Sequence, residues 1–282
     1  MPTPRYLSLE SLSASTQVQP LLMAVLNVTP DSFSDGGRFN QRDVAFDRAM
    51  SLIADGADIL DIGGESTRPG ASAVSVQEEL DRVIPVVEKI MSERQCLISV
   101  DSSKVEVMRA AVAAGAKLIN DVRGLADDEA LQFAADSRLP VCVMHMQGNP
   151  QNMQNQPSYN SVIDEVVEYL GGRIAAFVAA GGNPLQIIID PGFGFGKSLQ
   201  HNLALFAKLE ALHQLEAPIL IGVSRKSMFG DLLGRDVDER KAASVTAATM
   251  LLGKGAAIVR VHDVADTRDA IKLWHAVQNA AG

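Results

Sequence analysis

Cysteine is scarce in this 282-residue chain, and nowhere do 18 apolar residues run together. The second absence excludes an ordinary membrane-spanning helix. The two cysteines each sit inside an apolar run, Cys96-Leu-Ile-Ser-Val and Pro-Val-Cys142-Val-Met. They read as small buried core residues rather than as a disulfide or a metal site. Basic residues are in deficit, since 25 Lys and Arg against 34 Asp and Glu leave a formal net charge of −9. A broad basic footprint for nucleic acid is therefore missing, although a few converging cations can still bind a small anion. Five scattered histidines assemble no zinc cage. The polar segment before Pro20 lacks the apolar stretch of a secretory signal, so a cytoplasmic location is expected. On that reading the sequon Asn27-Val28-Thr29 is a chance match.

Hydrophobic residues make up 47% and charged residues 21%, which is ordinary for a globular protein and excludes a disordered chain. A length prior of about 150 residues per domain suggests two domains, but α/β barrels use about 250 residues as one unit. Eight short runs rich in β-branched residues decide between these. They are Leu21–Val28, Ile59–Gly63, Leu97–Asp101, Lys117–Val122, Pro140–Met146, Gln186–Asp190, Pro218–Val223 and Ala256–His262. Each is nearly continuous in its hydrophobicity, as strands covered on both faces of a parallel sheet are.

Helical spacing fills the intervals. Val76, Leu80, Val83, Val87 and Ile90 step by four and three behind Ser75, with Glu78 placed for a capping box and Pro85 as a possible kink. Val162, Val166, Leu170, Ile174 and Phe177 step the same way. Asp55-Gly56-Ala57, Ala114-Gly115-Ala116 and Lys254-Gly255-Ala256 read as helix stops that feed the next strand. No linker interrupts the alternation. The expected fold is a single (β/α)8 TIM barrel over residues 21–282, with residues 1–20 as a leader or a barrel-bottom segment.

In such barrels chemistry gathers where strands run into the following loops. The run ends carry Asn27, Asp61, Asp101, Asn120, His145, Asp190, Ser224 and Arg260 with His262. One strand-end aspartate such as Asp61 is explained equally well as a helix cap; eight polar ends out of eight are not. Asp101, Asn120 and Asp190 suit a flat heterocycle with adjacent N–H groups, and Lys226, Arg260, His262 and Arg68 bring cations for an anionic group. The loops Asn27-Val-Thr-Pro-Asp-Ser-Phe-Ser-Asp-Gly-Gly37 and Gly63-Gly-Glu-Ser-Thr-Arg-Pro-Gly70 are long, polar βα connections with the character of a lid. Gly192-Phe-Gly-Phe-Gly196-Lys197-Ser198 fails as a P-loop, with three residues between its glycines instead of four, and fails as a dinucleotide fingerprint because Lys197 stands at the third glycine. It reads as a tight turn that positions Asp190 and lines the pocket with Phe195.

With these residues in view, Asn27-Val-Thr-Pro-Asp-Ser-Phe-Ser-Asp-Gly-Gly, Gly64-Glu-Ser-Thr-Arg-Pro-Gly, Asn120-Asp-Val, Met144-His-Met-Gln-Gly, Asp190-Pro-Gly-Phe-Gly-Phe-Gly-Lys, Ser224-Arg-Lys-Ser and Arg260-Val-His262-Asp resemble the motifs of the dihydropteroate synthases of bacterial folate biosynthesis. The resemblance runs in order from about Leu22 to the C-terminus. One departure is Asp101-Ser-Ser-Lys104-Val105, where the family has Asp-Thr-Ser-Lys-Pro.

The resemblance implies a transferase that joins 6-hydroxymethyl-7,8-dihydropterin diphosphate to 4-aminobenzoate, uses Mg²⁺, is inhibited by sulfonamides and forms a homodimer. It implies Asp101, Asn120, Asp190 and Lys226 on the pterin, and Asn27, Thr67, Arg68, Arg260 and His262 on the diphosphate, with Asn27 near Mg²⁺. It implies Thr67, Pro69, Ser224, Phe33 and Phe195 around the aminobenzoate ring. Asp101, Lys226 and Asn27 are then the residues expected to carry catalysis. Two rivals share the pterin set. A folate-dependent methyltransferase has no need of a diphosphate-binding group, and a catalytically silent pterin-binding homologue would have lost one of Asn27, Asp101, Lys226 or Arg260.

Overall fold

The computed structural model describes residues 19–29, 38–66, 70, 71, 73–148, 153, 154 and 156–281. The segment expected as a leader lies outside them except for Gln19 and Pro20, as do Phe33, Thr67, Arg68 and Pro69.

Eight parallel strands close into a barrel in sequence order: β1 (Leu21–Asn27), β2 (Ile59–Gly63), β3 (Leu97–Asp101), β4 (Leu118–Asp121), β5 (Val141–Met144), β6 (Ile187–Asp190), β7 (Ile219–Ile221) and β8 (Ala256–Val261). Strand β8 pairs back onto β1 through Leu21↔Ile258 to Ala24↔Val261. Nine α-helices occur among the described residues. They are α1 (Arg38–Ala54), α2 (Val76–Glu93), α3 (Val105–Ala114), α4 (Asp128–Ser137), α5 (Val162–Ala179), α6 (Leu199–Ala207), α7 (Ser227–Leu233), α8 (Lys241–Leu252) and α9 (Val264–Ala281). The fold is the single-domain (β/α)8 barrel expected from the alternation. No described helix is long and apolar enough to cross a membrane.

Every expected strand is present, but most are shorter than their apolar runs. The run Pro218–Val223 contributes only Ile219–Ile221, and its pairing with β8 shifts register between Ile219 and Leu220. Ser224, His145 and His262 therefore sit just beyond strands rather than at their ends. Helix α2 passes unbroken through Pro85. Ser75 caps it by accepting from the Glu78 N–H at 3.2 Å, while the Glu78 side chain pairs with Arg82 instead of completing a capping box. The three helix-stop glycines hold φ of +103°, +121° and +88° at Gly56, Gly115 and Gly255, the left-handed side that releases a helix into a strand.

Residues two apart on a strand share a face. One set, Leu21, Met23, Ile59, Leu118, Cys142, Ile188, Leu220 and Ile258, forms an apolar cluster inside the barrel. Burying each large member stabilises the fold by about 1.5–3 kcal/mol. Two residues further along the same strands come Asp61, Asn120, Asp190 and Arg260, so an apolar floor carries a polar layer. Residues of the opposite parity, including Leu22, Leu60, Ile98, Ile119 and Val141, pack outward against the helices. Gly63 leaves room for this layer, since a Cβ there would stand 3.3 Å from the Asp101 Cβ. Both cysteines are free; Cys142 lies in the floor and Cys96 is half-buried, its thiol pushed up to about 11 by burial.

Candidate active site

Arg260, on β8, is the hub of the polar layer. Its Nε donates to Asp61 Oδ2 at 2.6 Å, and its Nη2 donates to Asp101 Oδ2 at 2.7 Å. The Asn120 amide donates to the same Asp61 oxygen at 3.1 Å. Asp61 is fully buried and caps no helix, so the capping reading of that residue fails. Five strands separate β2 from β8 the long way round the barrel; the residues meet because the short way has only β1 between the two. Burial, and then the neighbouring Asp61 charge, push the Asp101 carboxyl up to about 7 against the pull of Arg260. Arg260 is held charged by the same carboxylates.

Asp190, ending β6, accepts from the Gly192 N–H at 2.7 Å. Burial raises its pKa; the Gly192 N–H and the charges of Lys226, Arg260 and Lys197 oppose that rise. The Lys226 ammonium stands 3.9 Å from the centre of the Phe195 ring, a cation–π contact that gains strength when desolvated. Burial, and then Arg260, pull Lys226 down to about 8. At the rim the Ser224 hydroxyl accepts from the His262 backbone N–H at 3.2 Å and lies 3.1 Å from Nδ1 of the same residue. Arg225, in the left-handed region at φ +58°, grips Asp263 through two bonds of 3.1 and 2.6 Å. It thus ties the loop after β7 to the loop after β8.

The expected pterin set is therefore brought together: Asp101, Asn120, Asp190 and Lys226 all border the buried layer centred on Arg260. Arg260 and His262 lie at the same mouth. Asn27 ends β1 in register with Gly63, which in turn pairs with Asp101. Ser224 stands beside His262 and Phe195 beside Lys226, whereas Phe33, Thr67, Arg68 and Pro69 fall outside the described residues. Asp61 was missing from the expected set, and its position two residues past the floor residue Ile59 is the signal that would have found it. No group of three His, Cys, Asp or Glu side chains suited to a metal occurs among the described residues.

Two depressed histidines make acid stability predictable. Burial comes first for both, lowering His262 to about 4 and His145 to about 3. A folded-state pKa below the unfolded value of about 6.5 contributes stability that is full above that value and is lost as pH falls toward the folded one. The melting temperature should fall from pH 6.5 to 4, and His262→Asn should make that slope shallower. An identical slope in the variant would show that His262 is not held neutral.

Similarity to known proteins agrees with this geometry. The pterin binding enzyme family matches residues 23–262. Dihydropteroate synthase of Escherichia coli K12 is 50% identical over 261 residues, covering 93% of this chain and 93% of that one. The solved structure of Xanthomonas albilineans dihydropteroate synthase with 4-aminobenzoic acid superposes with a TM-score of 0.88 at 50% identity, covering 93% of this chain and 94% of the other. The Yersinia pestis dihydropteroate synthase in a sulfonamide drug complex superposes with a TM-score of 0.89 at 46% identity over 98% of each chain. The chain belongs to the pterin binding enzymes and, among them, to the dihydropteroate synthases.

Proposed function

We propose that the protein condenses 6-hydroxymethyl-7,8-dihydropterin diphosphate with 4-aminobenzoate, giving 7,8-dihydropteroate and pyrophosphate. The observation that carries this reading is the buried layer of Asp61, Asp101, Asn120, Asp190 and Arg260 on an apolar floor, in a chain half identical to dihydropteroate synthases over nearly its whole length. Asp101, Asn120, Asp190 and Lys226 hold the pterin. Asn27, Thr67, Arg68, Arg260 and His262 hold the diphosphate, and Thr67, Pro69, Ser224, Phe33 and Phe195 frame the aminobenzoate. The protein works in the cytoplasm as a homodimer.

The carbon attacked is a CH₂ on an electron-rich reduced pterin, so departure of pyrophosphate leaves a cation delocalised into the ring. The Asp101 carboxylate stabilises charge that develops only on the way to the transition state, often the largest catalytic effect available. Arg260 has five N–H donors, and the two committed to Asp61 and Asp101 leave the rest for the departing anion. Asn27 offers a hard amide oxygen, which fits Mg²⁺ because that ion is usually held by few protein groups together with substrate phosphates. When bound, Mg²⁺ supplies charge neutralisation on the diphosphate. The amine then adds in a pocket whose deep side is closed to water by the floor. No protein nucleophile is required.

The test is a pyrophosphate-release assay with the pterin diphosphate, 4-aminobenzoate and Mg²⁺. Sustained release, matched by 7,8-dihydropteroate formed, should require all three. Absence of release with all three present would overturn the reading.

A further inference from the structure

Lys197 is buried at 3% exposure, yet none of the steps above uses it. Its Nζ lies 2.9 Å from His145 Nδ1 and donates to the Gly192 and Phe195 carbonyl oxygens at 2.9 and 3.1 Å. Three acceptors around one nitrogen match the three hydrogens of an ammonium. His145 is suited to its part: burial and the Lys197 charge keep the ring neutral, which leaves Nδ1 free to accept. Its ring lies perpendicular to that of Tyr169, with ring centres 5.0 Å apart.

The carbonyls that Lys197 grips belong to the turn that builds one wall of the pocket. Gly192 supplies the N–H bonded to Asp190. Phe195 supplies the ring under Lys226. The turn is drawn tight against the strand beside it, since a Cβ at Gly192, where φ is +70°, would fall 1.9 Å from the His145 carbonyl oxygen. From outside, Tyr159 donates to the Gly196 carbonyl at 2.7 Å, and Asn202 accepts from the Gly194 N–H at 2.8 Å. Lys197 is the inner brace of the same turn.

We propose that Lys197 is a positioning residue of the pterin site, an internal ammonium that clasps the turn after β6 so that Gly192 and Phe195 seat Asp190 and Lys226. The inference rests on the reading that Asp190 and Lys226 hold the pterin. It has an electrostatic side as well. Asp190 is faced by Lys197 from its own loop, by Lys226 from the loop after β7 and by Arg260 from β8, while Asp61 and Asp101 compete for Arg260 and the Cys142 thiol on β5 lies nearby. Burial pulls Lys197 below the ordinary lysine range, and the Asp190 charge works against that. Removing the Lys197 charge therefore makes Asp190 easier to protonate.

The experiment is calorimetric titration of the full-length protein with 6-hydroxymethylpterin, which carries no diphosphate, from pH 5.5 to 8.5. Lys197→Gln keeps two N–H donors but no charge, and Lys197→Met keeps only the length. Both are expected to bind at least tenfold more weakly at pH 7, with the deficit growing toward pH 5.5. Tyr159→Phe removes an outer brace without touching charge and should stay within twofold of the parent. Parent-like affinity in Lys197→Gln and Lys197→Met across the pH range would overturn the inference, even if their melting temperatures fall. Should neither variant fold, ¹⁵N spectroscopy of the parent decides: a buried lysine Nζ bearing three hydrogens at pH 6.5 supports the clasp, and a neutral amine refutes it. Failure of the parent itself to bind the pterin would instead count against the proposed function.

Discussion

Asp101→Asn is expected to lower kcat by about 10²–10³, the loss typical when one preorganised electrostatic partner of a transition state is removed. The amide keeps the shape of the carboxylate and can still accept from Arg260 Nη2, which now sits 2.7 Å from Asp101 Oδ2. Arg260 also keeps Asp61 as a counter-charge. The pterin should therefore still bind, and the loss should fall on turnover rather than on affinity. A pH profile separates this account from simple damage. With the Asp101 carboxyl pushed up to about 7, kcat/KM of the parent should decline below pH 7 as the carboxylate takes a proton, since that parameter reports the free enzyme. The variant should lack this limb. Near-normal turnover in Asp101→Asn, or an unchanged acid limb, would remove the stabilised-cation account.

Asp61→Ala should act on stability. Asp61 is fully buried, and its Oδ2 takes a charged bond from Arg260 and a second bond from Asn120. Removing one partner of a buried ion pair typically costs about 3–5 kcal/mol, because the other charge stays buried without its counter-ion. Asp101 remains beside Arg260, which places the expected loss near the lower bound. For a chain of this size about 3 kcal/mol corresponds to a fall in Tm of roughly 5 °C. Thermal unfolding measured at pH 7 checks this. A Tm within a degree of the parent would mean that Asp101 alone balances Arg260. The same substitution also relieves Asp101 of a like charge, so the acid limb of kcat/KM should move to lower pH.

The barrel was legible in the sequence because each strand is buried on both faces and so spells an unbroken apolar run. Strand ends were less legible, because pairing rather than hydropathy sets them: Val223 is as apolar as Ile221, but the pairing of β7 with β8 stops at Ile221↔Val259. The polar layer was visible as side chains at run ends. Its internal wiring was not, since Arg260 and Asp61 meet across 199 positions of chain, and no local pattern records which carboxylate a guanidinium will choose. Asp61 was underweighted for that reason, because a strand-end aspartate is also what a helix cap looks like. Arg225 had no role legible in the sequence, and its left-handed backbone and the position of Asp263 make it a clamp between loops. Lys197 stood out in the sequence only as the residue that spoils a glycine motif, whereas in space its neighbours are two carbonyls and an imidazole.

The pairing of β8 onto β1 has a consequence for biogenesis. Until Ile258–Val261 emerges from the ribosome, the Leu21–Ala24 edge has no neighbour on that side, and contacts spanning most of a chain form slowly. The same late segment delivers Arg260, so Asp61 and Asp101 stay without their shared counter-ion in every truncated nascent chain. Sealing of the sheet and arrival of the central guanidinium are thus a single event in the life of the polypeptide, and a chain cut short before β8 loses both together.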